Sequence, residues 1–189
     1  MLLGEETTAT QKIVMTDIKT LRSYARKHIE KGAVTAGYPA DRTEVLKLLN
    51  EALATEIVCA LRYRRHHFMA RGIHAKSIVN EFLVHSDQEQ GHADQIAGRI
   101  VQLGGEPDFA SDNLASRSHA EYVAGKSLVE MIKEDLVAER IAIDIYCEMI
   151  QYLGDQDPTT SELLKEILAV EEQHADELAD LLAGVPTVS

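Results

Sequence analysis

Two stretches of the chain repeat each other, EQGHADQIA from Glu89 and EEQHADELA from Glu171, and each carries a glutamate followed three residues later by a histidine. On an α-helix, side chains three positions apart share one face within about 5–6 Å. Each pair therefore offers one carboxylate and one imidazole to a single metal ion. A longer regularity encloses them. Glu56 lies 33 residues before Glu89 and Glu139 lies 32 before Glu171, so a helix with one glutamate is followed twice by a helix with Glu-x-x-His. Four glutamates and two histidines in this order make the ligand set of a di-iron or di-manganese carboxylate centre held by four helices.

With 19 glutamates and eight histidines, roughly one Glu-x-x-His pair is expected by chance, so a single pair carries little weight. The seams on which the six residues fall carry more. Steps of three and four place Leu49, Leu53, Glu56, Ala60 and Tyr63 on one face. Ile78, Phe82, His85, Glu89, His92 and Ile96 share a second, and Ile132, Asp135, Glu139, Ala142, Tyr146 and Met149 a third. Leu164, Ile167, Glu171, His174, Leu178 and Leu181 make the fourth. All six candidate ligands, Glu56, Glu89, His92, Glu139, Glu171 and His174, are thus expected to face inward. Buried carboxylates without partners cost several kcal/mol each or take up protons, whereas two divalent cations cancel four carboxylate charges. Three further seam residues are candidates for the surroundings of the site. Tyr63 lies two turns beyond Glu56 and reads as a redox or supporting residue or as a buried tyrosine with a satisfied hydroxyl. Asp135, one turn before Glu139, is a candidate hydrogen-bond partner for the free ring nitrogen of a ligand histidine. His85, one turn before Glu89, is either a ligand on the ion's way in or a polar core residue.

The elements that must position these residues are legible from their ends. A helix over 41–71 opens on the capping box of Asp41 and Glu44, and a second over 76–103 stops at Gly104 and Gly105. Residues 105–125 read as a loop, and a third helix spans 126–153. The fourth starts at Asp157 as N-cap with Pro158 behind it and ends near Ala183. The first and last connections are a few residues long, which makes antiparallel pairs. The middle one, about 20 residues at roughly 3.3 Å each, can run the length of the bundle. The expected fold is all-α: a four-helix bundle, up-down, long crossover, up-down, which is the ferritin-like arrangement. An extra short helix over 16–32 precedes it. The domain division expected is an extension over 1–40, the bundle over 41–183 and a tail over 184–189; the first dozen residues read as disordered, and Met15 offers a second start.

Composition narrows the classes. At 189 residues with 45% hydrophobic and 26% charged content, the chain suits one soluble domain. No apolar run approaches the roughly 20 residues of a membrane span, and no secretory pattern opens the chain, so a cytoplasmic location is expected. The net charge of −12 argues against a nucleic-acid binder. The exception is residues 11–32, where six Lys or Arg face two acids; they read as a solvated amphipathic helix, with a DNA-contacting arm as the rival. Cys59 and Cys147 lack a CxxC pattern and fit a reducing compartment. Their axial separation of about 16 Å exceeds the roughly 7 Å that a disulfide tolerates.

From Asp41 to Leu182 the chain resembles bacterioferritin and the wider ferritin-like superfamily. LLNEALATEI around Glu56, EQGHAD around Glu89 and His92, LVAER around Glu139 and EILAVEEQHAD around Glu171 and His174 carry the resemblance. It implies Glu56 and His92 on one metal, Glu139 and His174 on the other, Glu89 and Glu171 as bridges, and Tyr63 beside the centre. Two iron ions per subunit are the implied cofactor, with manganese or zinc as replacements. The family's haem-ligand methionine is replaced by Gln90, so no haem is expected. Only 15 residues follow His174, too few to finish the last helix and add the short fifth helix of 24-subunit cages. The implied assembly is a 12-subunit, Dps-like mini-ferritin cage with a bacterioferritin-type centre in each subunit, with a dimer as the smaller alternative. The thiol-bearing branch of Dps-like proteins places a cysteine beside the third-helix glutamate, but here Glu139 is followed by Arg140 and Ile141. The expected function is ferroxidase activity with O2 or hydrogen peroxide, coupled to iron storage. The rivals are a non-storing di-metal peroxidase or manganese-catalase-like enzyme, a DNA-protecting shell, and a partner-binding bundle with an incidental metal.

Overall fold

The computed structural model describes residues 15–72 and 75–185. Two compact units are divided between Gly37 and Tyr38. In the first, α1 (Ile18–Tyr24) is capped by Asp17, whose carboxylate accepts from the amides of Lys19 and Thr20 at 3.0 Å. The expected helix over 16–32 is therefore shorter than its sequence pattern. It stops at Ala25, His28 takes a left-handed conformation, and a separate 3-10 turn covers Ile29–Lys31. No residue of α1 is buried, and a short helix with no packed face has little to sustain further turns. The expectation of disorder over the first dozen residues lies outside the described residues.

The second unit is all-helical among the described residues. It comprises α2 (Arg42–Met69), α3 (Ala75–Gln102), α4 (Leu114–Arg117), α5 (Leu128–Leu153) and α6 (Pro158–Gly184). Both anticipated caps form. Asp41 accepts from the amides of Thr43 and Glu44. Asp157 accepts from the Thr160 amide at 3.0 Å while Arg99 and Tyr38 donate to its carboxylate at 2.8 and 2.7 Å. The start of α6 is thereby tied to the end of α3. Every position on the four predicted seams is buried except Leu181, which is half-buried in the last turns of α6.

Contacts across the bundle establish its directions. Glu56 meets Tyr146 and Tyr63 meets Glu139, so a rise of seven positions on α2 matches a fall of seven on α5. Pairing on α3 and α6 also runs in opposite senses, from His92 with Glu171 to His85 with Glu177. The crossover between α3 and α5 lies along α2 in the direction of α2. Asn50 holds the backbone of Glu106 and Asp108, Thr55 meets His119, Arg62 donates to the Glu121 carbonyl, and His66 reaches the Ala124 carbonyl. This path sets α5 parallel to α3, the order expected from loop length. The one-turn helix α4 inside it, unexpected in a stretch rich in turn residues, sits where Arg117 reaches back to the Asn50 carbonyl. At the end of the crossover Gly125 has φ +60°, and a Cβ there would lie 2.9 Å from the Met131 amide nitrogen, so a side chain is excluded on both counts. Among the described residues, no helix is long and apolar enough to cross a membrane.

Candidate metal centre

The six candidate ligands converge at mid-bundle, one glutamate each from α2 and α5 and one Glu-x-x-His pair each from α3 and α6. Two four-residue groups result, in each of which one donor atom per residue lies within 4.8 Å of the others. The first is Glu56, Glu89, His92 and Glu171; the second is Glu89, Glu139, Glu171 and His174. Glu89 and Glu171 belong to both. All six are at most 5% exposed.

The donor atoms approach one another closely, but of these contacts only that between His92 Nδ1 and Glu56 Oε2 is aligned as a hydrogen bond. His92 Nδ1 lies 2.8 Å from Glu171 Oε1 and 3.3 Å from Glu56 Oε2; His174 Nδ1 lies 3.2 Å from Glu89 Oε1 and 3.4 Å from Glu171 Oε2. Yet Glu89 Oε1, both Glu171 oxygens and His174 Nδ1 are buried without an aligned hydrogen bond. An orphaned buried polar atom costs about 1–3 kcal/mol. A cation shared among such crowded, unpaired oxygens and nitrogens would satisfy them. The donor set of hard carboxylate oxygens and imidazole nitrogens suits iron, manganese or zinc.

Their protonation follows from crowding. Burial, and then the charges of Glu171, Glu139 and Glu56, push the Glu89 carboxyl well above its usual 4.5. Burial with Glu171 does the same to Glu139, and burial with Glu56 raises Glu171. Burial works against the His92 imidazolium, but the Glu171 and Glu56 carboxylates beside it prevail and push it up to about 10. Glu56 runs the other way: burial raises it, but His92, Glu89 and Tyr146 together hold it below 4.5. Burial lowers His174.

These directions have consequences for stability. Glu89, Glu139, Glu171 and His92 give up their protons at higher pH in the folded metal-free chain than in the unfolded one. Their contribution is therefore lost as the pH rises, for His92 through about 10. Glu56 and His174 act at the acid end, where their contribution is lost as the pH falls. The metal-free protein should accordingly melt at lower temperature at about pH 9 than at about pH 6. Added Mn(II), which displaces these protons, should raise the melting temperature more at the higher pH. Calorimetry at the two pH values, with and without Mn(II), checks both; a metal-induced shift that shrinks with rising pH would refute the assignment of protons to this cluster.

The surroundings of the cluster follow the internal repeat. Tyr63 donates its hydroxyl to Glu139, and Tyr146 donates to Glu56. Burial, and then the neighbouring glutamates, hold both phenols well above 10, so they remain donors. Tyr146 lies on a predicted seam but had no role assigned. The signal was present, because it follows Glu139 by seven residues as Tyr63 follows Glu56. Gln88 was also missed; its Oε1 lies 3.0 Å from His174 Nε2, which turns Nδ1 toward the cluster. Asp135, a candidate partner for a ligand histidine, is instead engaged away from the six candidate ligands. Its two oxygens take Arg62 Nε at 2.8 Å and His66 Nδ1 at 2.7 Å, because the antiparallel register brings the end of α2 over it. His85 is buried with Nε2 2.9 Å from Glu177. Cys59 and Cys147 are both free.

A four-helix up-down, crossover, up-down bundle with two Glu-x-x-His pairs facing two lone glutamates defines the class. Residues 46–188 match the model of the Ferritin family, described as the ferritin-like domain, and the chain belongs to that family. Among relatives, it is 30% identical over 155 residues to the "DNA protection during starvation protein" of Pyrococcus furiosus, covering 78% of this chain and 81% of the relative. It is 30% identical over 141 residues to the bacterioferritin of Mycobacterium leprae, covering 74% and 84%. A solved structure, the dodecameric thioferritin and bacterioferritin-related protein of Bacteroides fragilis, superposes with a TM-score of 0.74 at 28% identity, covering 77% of this chain and 88% of that one.

Proposed function

We propose that this chain oxidises Fe(II) at the central cluster and stores the product, working as a cytoplasmic homo-oligomeric cage of 12 subunits with two iron ions per subunit as substrate. The observation that carries the reading is the pair of four-donor groups sharing Glu89 and Glu171, which leave buried carboxylate oxygens without hydrogen-bond partners. In this reading Glu56 and His92 hold one Fe(II), Glu139 and His174 hold the other, and the two shared glutamates bridge them. The functional unit is the bundle over 41–183, and the dodecameric structural relative supports the assembly.

Two Fe(II) ions supply two electrons, which with two protons reduce O2 to hydrogen peroxide or hydrogen peroxide to two waters. The chain's own residues supply the rest. Carboxylates favour Fe(III) once it forms. Tyr63 and Tyr146 keep Glu139 and Glu56 in place through hydroxyl donors, and Gln88 keeps the His174 ring turned inward. Burial and the neighbouring carboxylates favour the protonated forms of Glu89 and Glu139, and binding of Fe(II) at these oxygens would displace any proton they carry.

Excess Fe(II) added in air to the metal-free protein, followed by counting the oxidised iron that stays soluble with it, tests both halves. Tens of irons per chain are expected. A plateau at about two per chain, the capacity of the ligand set alone, would remove the storage half and leave a non-storing di-metal enzyme. Glu56→Ala and His174→Ala should each slow oxidation by about 100-fold; wild-type rates in both would refute the site.

A further inference from the structure

A second group of metal-competent side chains adjoins the central cluster, and the function just proposed does not use it. Glu81 and His85 on α3 and Glu177 on α6 bring one donor atom each within 4.8 Å of the others. We propose that these three residues form a third divalent-cation site, on the solvent side of the Glu139 and His174 position.

The charge and the donor types fit. Two carboxylates balance a divalent ion, and an imidazole with carboxylates is the mixed set that Fe(II), Co(II) and Zn(II) accept. The group differs from an acidic patch in having His85 at its base. That side chain is fully buried, its Nε2 lies 2.9 Å from Glu177 Oε2, and its Nδ1 is buried with no partner. A neutral core histidine has one donor and one acceptor to satisfy, and here one ring nitrogen is left without either. Exposure is graded, with the Glu177 side chain 35% exposed, Glu81 half-buried and His85 closed off.

His85 also belongs to a second group. With Glu139 and His174 it again brings one donor atom per residue within 4.8 Å, and its ring stacks on that of His174 at 4.0 Å between centroids and 21° between planes. One imidazole thus stands between the partly exposed carboxylates and the central cluster. An ion held by Glu81, His85 and Glu177 waits one side chain away from the Glu139 and His174 position. Its relation to the centre rests on the function proposed above; its existence does not.

Counting tightly bound Co(II) per chain by equilibrium dialysis without oxygen separates the two. The wild-type protein should retain three, Glu81→Gln/Glu177→Gln two, and Glu89→Gln/Glu171→Gln one. The outer variant keeps the shape of both side chains and an amide oxygen for His85 Nε2, and its melting temperature verifies folding. If it binds as many ions as the wild type, the third site is wrong and the central cluster stands. If it loses one ion while Glu89→Gln/Glu171→Gln loses none, the third site holds and the central reading fails.

Discussion

Replacing Glu89 and Glu171 together by glutamine is expected to make the metal-free protein more stable and at the same time to remove Fe(II) oxidation. Four carboxylates share the interior of one bundle, and three of them are held above their usual pKa by burial and by neighbouring carboxylates. Glutamine keeps the side-chain volume, carries no charge, and offers an amide that can donate to the neighbouring Glu56 and Glu139. Substituting buried ionic groups with uncharged ones of similar shape stabilises by about 1–4 kcal/mol in favourable cases. That range is the expected gain in denaturant unfolding of the metal-free double variant. If Glu89 and Glu171 bridge two irons as proposed, their loss should reduce the oxidation rate by more than about 100-fold, because each four-donor group loses two of its members. The opposite pairing, a destabilised variant with retained activity, would mean that these carboxylates serve the fold and not the metal. The residues most suited to function are here the least comfortable in the core, a common relation between activity and stability.

Asp135→Ala should have the opposite signature, a loss of roughly 3–5 kcal/mol in the metal-free and the metal-loaded protein alike. Asp135 is fully buried and is the counter-charge of Arg62, whose side chain is 1% exposed. Burial works against the Arg62 charge, but neighbours that include Asp135 keep it firmly protonated. Without Asp135 that charge keeps only the Glu121 carbonyl at 2.8 Å and the Cys59 sulfur at 3.7 Å. The damage should spread to the crossover, since Arg62 holds the Glu121 carbonyl and His66 shares the Ala124 carbonyl with Arg65. Hydrogen exchange over residues 118–125 should therefore quicken in the variant. A cost below about 1 kcal/mol, the range of an exposed pair, would show that water reaches this network.

The contrast between the two groups explains what could be read in advance. The six candidate ligands fall on seams whose period is local, so each helix declares its own inward face. The repeated Glu-x-x-His then identifies partners without knowledge of the packing. Helix ends were similarly legible through Asp41, Gly104, Asp157 and Pro158, each of which acts on its immediate neighbours. The Arg62, Asp135 and His66 network needs more information. Its members come from α2 and α5, and two of them also bind a loop whose path is set only when the bundle closes. Arg62 lies next to the seam residue Tyr63 and has no sequence feature to distinguish it from an exposed arginine. Gln88 escaped notice for a related reason: it is exposed, and only the register of α3 against α6 brings it to His174. The helix expected over 16–32 had a favourable local pattern but no packed face to extend it.

Glu89 and Glu171, the residues shared by the two four-donor groups, come from different helical hairpins. The first hairpin supplies Glu56, Glu89 and His92 and borrows Glu171; the second supplies Glu139, Glu171 and His174 and borrows Glu89. Each hairpin is thus a half-site with three donors and one vacancy, completed by a carboxylate lent from the other. The tyrosine contacts obey the same exchange, with Tyr63 serving Glu139 and Tyr146 serving Glu56. Neither half reaches four donors alone, so in the proposed reading a metal ion would join the two hairpins to each other. The chain is organised as two helical hairpins of matching pattern joined by a crossover, and each four-donor group exists only where the two hairpins meet.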